Sequence, residues 1–297
     1  MPTIYEVAPR DGLQNEAVRI PTEAKIALID RLSEAGLPAI EVTAFVRPNR
    51  VPQLEDAEAV VAGITRRPGT RYSALVPNLV GFQRAAAAGL TEVAVLAAAS
   101  ETFSRKNVNQ SIDEAIGTCR VVAAAAAEAG VRARAYLSTA FGCPFEGAVP
   151  VDRVVALAAR LAELDVVEIA VSDTIGVAHP GQVRTLLAAL LQELPADRLA
   201  LHFHDTRGMA VANVLAALEF GIQTFDGSAG GLGGCPFAPG ASGNVATEEL
   251  LYLFDGLGHP SGVRVSDVTA AVAPLQAIVQ HRLSSRLFQS LHPGERA

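Results

Sequence analysis

The stretch VVEIAVSDTIGVAHPGQVRTLLAALLQELPADRLALHFHD, residues 166–205, reads as strand, helix, strand. Residues 166–172 are a short β-type run, and 199–205 form another, apolar through Phe203. Between them, 180–194 is rich in Leu and Ala and opens on Pro180, whose missing N–H costs nothing in a helix's first turn. Two short strands joined by such a helix form a parallel βαβ unit. The pattern recurs on both sides. Strand-like runs lie at about 3–8, 39–45, 71–76, 92–98, 131–138 and 223–228. Helical runs lie at about 22–36, 54–63, 78–89, 111–129, 151–164, 208–220 and 245–257. Several helices close on glycine, as at Gly36, Gly89, Gly130 and Gly221. Eight units in this length predict an α/β fold of the (β/α)8 TIM-barrel type, which takes about 250 residues. The competing doubly wound sheet lacks its glycine-rich first turn, since strand one runs into PRDGLQNE. No linker divides the chain. We expect one catalytic domain over 1–297, with the barrel at about 3–258 and a helical tail at about 263–290.

The chain has 297 residues, half of them hydrophobic, and a net charge of −7. No basic block or aromatic-plus-basic patch is present, which argues against nucleic acid as a partner. Apolar runs such as 121–127 are too short to span a bilayer, so no membrane partner is expected. Three scattered cysteines, Cys119, Cys143 and Cys235, make no disulfide framework. With no apolar core in residues 1–20, and with Asp11 and Glu16 there, the expected location is the cytoplasm.

Two of the six histidines, His202 and His204, sit one residue apart on a single strand. Side chains alternate along a strand, so both face the same way, with Cα atoms roughly 6.6–7 Å apart. Imidazoles at that spacing can converge on one cation; the bland alternative is two core histidines bonded to backbone carbonyls. Reactive groups in a barrel gather where strands end. Those places hold Arg10-Asp11-Gly12-Leu13-Gln14, Glu41 and Thr43, Ser100 with Arg105, Lys106 and Asn107, Tyr136 and Ser138, Asp173, and His202-x-His204. Taken singly, Glu41 and Asp11 read as ion-pair or capping residues. Taken together, Asp11, His202 and His204 describe a catalytic divalent-metal site with open positions, to which the amide oxygen of Asn244 could add. The loop GGLGGCPFAPGASGN, residues 230–244, carries six glycines in 230–243 and Cys235. Punctuation is its ordinary reading, yet a cysteine in a glycine-hinged loop is also a plausible proton donor. Cys119 reads as helix packing, and Cys143 has no assigned role.

EVAPRDGLQNE (6–16), IEVTAFVRPNRVPQ (40–53), SDTIGVAHP (172–180), LHFHDTRGMAVAN (201–213) and GGLGGCPFAPGASGNVATEEL (230–250) together resemble the 3-hydroxy-3-methylglutaryl-CoA lyase family. The R-D-G-x-Q opening and H-x-H strand mark its superfamily of metal-dependent barrels, and the cysteine-bearing loop narrows the resemblance to the lyases. The resemblance implies Asp11, His202, His204 and Asn244 as ligands of a divalent cation, Mg²⁺ or Mn²⁺ with Zn²⁺ as an alternative. It implies Arg10 for stabilising an enolate, Cys235 as the loop acid, and Gln14, Glu41 and Asp173 as polar partners. Asn107 and Tyr136 fall at positions facing the substrate region. The implied reaction is a retro-Claisen cleavage of a CoA thioester, with Asp11 or His202 as base, by a homodimer. Rivals within the superfamily are a lyase for a related 3-hydroxyacyl-CoA, such as a citramalyl or longer branched chain, an aldolase, and a synthase. A rival outside it is a non-catalytic binding protein, against which the complete residue set argues. Two features stand out. Arg10 and Asp11 are neighbours, so both face the site only if the strand ends there, as Pro9 and Gly12 allow. Arg207 and Met209 replace the Tyr and Gln common in animal members, which suggests an altered acyl group or a grip on phosphate.

Overall fold

The computed structural model describes residues 1–47, 49–234 and 243–293. Eight parallel strands close into a barrel in chain order. They are β1 (Thr3–Glu6), β2 (Ala39–Ala44), β3 (Arg71–Leu75), β4 (Glu92–Ala98), β5 (Arg132–Ser138), β6 (Glu168–Asp173), β7 (Leu199–Phe203) and β8 (Thr224–Gly227). The helices are α1 (Thr22–Glu34), α2 (Ala57–Gly63), α3 (Leu79–Ala87), α4 (Glu101–Val108), α5 (Ile112–Glu128), α6 (Val151–Ala162), α7 (Pro180–Glu193), α8 (Ala210–Leu218), α9 (Thr247–Gly256), α10 (Val265–Val279) and α11 (Arg286–Leu291). The expected barrel with a helical tail is the fold observed.

Alternation along each strand divides the core. Ile40, Val42, Val93, Val95, Ile169, Val171, Leu199, Leu201 and Phe225 face outward into one continuous apolar layer beneath the helices. The inward-facing set is mixed. Ala94, Ala170 and Ala200 leave room in the lumen for Tyr136. The charged residues Glu41, Glu92, Arg134 and Asp226 are also buried there.

Three elements differ from the sequence expectation. Strand β1 stops at Glu6, and Ala8–Gly12 coil into one wide turn in which the Gly12 N–H reaches back to the Val7 carbonyl at 3.1 Å. Residues 101–108, too polar to show an apolar stripe, form α4. Ser100 caps it by accepting from the Phe103 N–H, and left-handed Asn109 (φ 57°) ends it. The tail is two helices rather than one, because Gln280 leaves α10 at φ 59°.

Candidate metal and substrate site

The wide turn after β1 resolves the question of the adjacent Arg10 and Asp11. In a coil rather than a strand, neighbours can reach the same mouth, and both line one cavity of about 950 Å³. Gly12 lets the turn close on the segment after β8, since a Cβ there would lie 2.9 Å from Ser228 Oγ and 3.1 Å from Leu232 Cβ. Buried Glu6 fixes the turn from below. Its Oε1 accepts from the N–H groups of Ala8 (2.8 Å) and Ala229 (3.0 Å), and its Oε2 from the Thr247 hydroxyl (2.7 Å).

Across the mouth, β7 presents His202, and His204 follows directly after its end, their rings 5.1 Å apart. Asp11 Oδ2 lies 3.9 Å from His202 Nε2 and 3.8 Å from His204 Nε2. Those separations are long for hydrogen bonds. They suit ligand atoms around a shared cation, which sit about 3–4 Å apart when each bond is about 2.1 Å. One ligand atom from each of Asp11, His202 and His204 lies within 4.8 Å of the other two.

Segment 243–246 runs back along the end of β7, with the Asp205 N–H on the Gly243 carbonyl (2.9 Å) and the Val245 N–H on the Phe203 carbonyl (3.0 Å). This sets Asn244 opposite His204. The Asn244 amide donates to Asp11 Oδ2 (3.0 Å) and the Leu232 carbonyl (3.1 Å), while its buried Oδ1 has no partner. A carboxylate and two imidazoles within ligand reach of one another, with an amide of unpartnered oxygen hydrogen-bonded to that carboxylate, make a donor set that a hard or borderline divalent cation takes, so these residues fit the implied metal.

Arg10 spans the centre of the site. Its Nε is ion-paired to Glu41 and its Nη1 to Asp11. Burial alone would raise the Asp11 carboxyl, but the Arg10 guanidinium and the two imidazoles hold it well below the usual carboxylate range. Burial pushes Glu41 up against the pull of Arg10. Tyr136 donates to Glu41 Oε2 at 3.2 Å. Gln14 and Asn107 line the same cavity, Asn107 from α4.

Asp173 is placed differently. Both of its carboxylate oxygens accept from loop N–H groups, Val177 at 3.0 Å and Ala178 at 2.9 Å. Its carbonyl accepts from the His204 N–H at 3.2 Å, so its contact with the site is through the backbone. Arg207 donates to the Gly176 carbonyl (3.1 Å) and lines a separate cavity of about 350 Å³. It does not line the large cavity, while Asn244 of the metal cluster lines the smaller one with it. Cys235 lies outside the described residues.

Sequence reading missed Asp226. This buried carboxylate on β8 meets His202 Nδ1 at 3.0 Å. A carboxylate on one ring nitrogen leaves the other free to bind metal. The available signal was an acid inside the β-type run TFDG, one residue before Gly227. Burial raises its carboxyl, and the Arg134 guanidinium with His202 more than reverses that.

The HMGL-like family model matches residues 1–273. The chain belongs to the HMGL-like family. This HMGL-like protein is 48% identical to hydroxymethylglutaryl-CoA lyase YngG of Bacillus subtilis (strain 168), over 97% of this chain and 96% of the relative. The crystal structure of the Bacillus subtilis HMG-CoA lyase superposes with a TM-score of 0.96, at 48% identity, covering 98% of this chain and 97% of that one. An HMG-CoA lyase from Acinetobacter baumannii, solved in complex with coenzyme A and 3-methylmalate, superposes with a TM-score of 0.94 at 36% identity, covering 100% and 97%.

Proposed function

We propose that this protein is a metal-dependent carbon–carbon lyase that cleaves 3-hydroxy-3-methylglutaryl-CoA to acetoacetate and acetyl-CoA. The observation that carries the reading is the meeting of Asp11, His202 and His204 beside the Arg10–Glu41 pair at the mouth of a cavity of about 950 Å³. Near-half identity to named lyases across almost the whole chain supports it.

Asp11, His202, His204 and Asn244 would hold the cation, Mg²⁺ or Mn²⁺ before Zn²⁺, given the oxygen-containing shell. When bound, the cation favours the alkoxide of the substrate's tertiary hydroxyl. Of Asp11 and His202, the two candidates for accepting that proton, Asp11 is the better placed, because His202 Nδ1 faces Asp226 and its Nε2 would be on the cation. As the carbon–carbon bond breaks, Arg10, held by Glu41 and Asp11, faces the charge of the thioester enolate, a role that contributes several kcal/mol in a water-poor site. Gln14, Asn107 and Tyr136 shape the acyl end, and Asp173 fixes the loop beneath it. Cys235 returns a proton to the enolate carbon.

The whole chain acts as one catalytic domain. It works as a homodimer in the cytoplasm; among the described residues no helix is long and apolar enough to cross a membrane. The test is to incubate the protein with a panel of 3-hydroxyacyl-CoA thioesters and Mg²⁺ or Mn²⁺, with and without chelator, and identify products by mass. The expected result is acetoacetate and acetyl-CoA from the 3-hydroxy-3-methylglutaryl thioester, suppressed by chelator. Cleavage that ignores the chelator, or preference for another acyl chain, overturns the reading.

A further inference from the structure

Arg134 stands on β5, opposite the metal-facing strands, and its side chain is 1% exposed. A guanidinium so deep in a barrel needs anions around it. It has two. Its Nε donates to Glu168 Oε1 at 2.7 Å, and its other two nitrogens form a fork on Asp226, Nη2 to Oδ1 at 2.6 Å and Nη1 to Oδ2 at 3.3 Å. Asp226 Oδ2 is the same oxygen that meets His202 Nδ1. The guanidinium is also boxed in by aromatic rings, with Cζ 4.0 Å from the Tyr5 centroid and 4.9 Å from that of Tyr136.

A carboxylate gripped by a planar fork cannot rotate freely about its last bond. With both oxygens held by Arg134, Oδ2 stays aimed at His202. A lone buried acid in that place would be free to turn its lone pairs away from Nδ1. That would let the imidazole place its proton on Nε2, the nitrogen facing Asp11.

We propose that Arg134, which lines no part of the substrate cavity, is a positioning residue for the metal centre: through Asp226 it holds His202 with its proton on Nδ1 and its Nε2 lone pair toward Asp11 and His204. The inference rests on the metal reading given above, but it concerns a proton's place on a side chain of the metal-free protein. The bland alternative is that Arg134 only balances charge inside the barrel.

Histidine-labelled, metal-free protein distinguishes the two. Nitrogen NMR at a pH where the imidazole is neutral reports which ring nitrogen carries the proton, with His202 assigned by the signal lost in His202→Gln. The wild type should show Nδ1–H. Arg134→Gln should mix the tautomers and weaken Mn²⁺ binding, read by electron paramagnetic resonance, by about 10–100-fold. Arg134→Lys keeps the charge without the fork and should fall between. A folded Arg134→Gln with the wild-type tautomer and Mn²⁺ affinity within about twofold overturns the proposal. So does a wild-type spectrum with the proton on Nε2, a result that needs no variant to fold. If the wild type shows Nδ1–H yet binds no Mn²⁺, the metal reading fails and the positioning of His202 stands.

Discussion

His204 illustrates how little slack the site has at the level of one residue. It brings a nitrogen within 3.8 Å of Asp11, and its own N–H is anchored to the Asp173 carbonyl. Replacing it by Ala removes one of three clustered ligand atoms while leaving the strand paired. Mn²⁺ affinity should fall by more than the roughly 10–100-fold that loss of an outer-shell partner costs, with cleavage lost in parallel. Isothermal titration checks the first and product assays the second; activity retained in metal-free buffer would contradict both. Cys235 is tested differently. Cys235→Ser should leave KM near the wild-type value and lower kcat, because a proton donor acts after the substrate is bound. Unchanged steady-state kinetics would remove it from the chemistry. The ligand cluster could be seen in advance, because strand alternation fixes the facing of two histidines whatever the rest of the barrel does. Asp226 and Arg134 escaped notice because an isolated charge in a short strand cannot be judged until its partner, 92 residues away, is known.

At the scale of elements, the loop after β8 and helix α9 are tied by acids that accept from backbone N–H groups and a hydroxyl. Glu248 accepts from the Gly230 N–H with both oxygens (2.8 and 3.1 Å), and Glu6 joins the β1 turn to the same loop. Burial pushes Glu248 up to about 8 and Glu6 up to about 7, from an ordinary value of 4.5. Because the folded values are the higher ones, protonation favours the fold. That stabilisation is complete below about pH 4.5, and it is lost as pH rises through about 7 for Glu6 and about 8 for Glu248. For Glu248 the loss is on the order of a few kcal/mol. Urea unfolding at pH 6 and 9 should therefore show a fall in wild-type stability that is smaller in Glu248→Gln; parallel pH profiles would contradict this. Element identity was largely readable, since period and glycine stops survive packing. Boundaries were not. Strand β1 ends early because Pro9 offers no N–H and the chain coils, and α4 is set by a serine cap rather than an apolar face.

Over the whole molecule, the tail closes around the root of the glycine-rich loop. Ser284 Oγ donates to the Gly231 carbonyl (2.6 Å), the Ser285 N–H to the Gly230 carbonyl (3.0 Å), and Phe288 is buried. Gly231 sits at φ +66°, and a Cβ there would come within 2.4 Å of Ser284 Oγ and 3.1 Å of the Ser285 nitrogen. Gly231→Ala combines backbone strain with that collision. It should cost roughly 1–3 kcal/mol and loosen the tail from the barrel. Hydrogen exchange of residues 283–288 is the measurement; protection equal to the wild type would contradict it. The sequence showed that a helical tail exists. Where it docks depends on contacts between residues some 50 positions apart, for which a single chain's pattern holds no signal.

The hydrogen bond from Asn244 to Asp11 spans 233 residues of chain. Asp11 leaves the ribosome with the first strand of the barrel, and Arg10 and Glu41 can neutralise each other once the second is made, but the histidines come with the seventh strand and Asn244 after the eighth. The centre therefore cannot assemble piecemeal. Metallation should come after translation has carried the chain past its eighth strand, so capture of the ion would serve as a timestamp for a finished barrel.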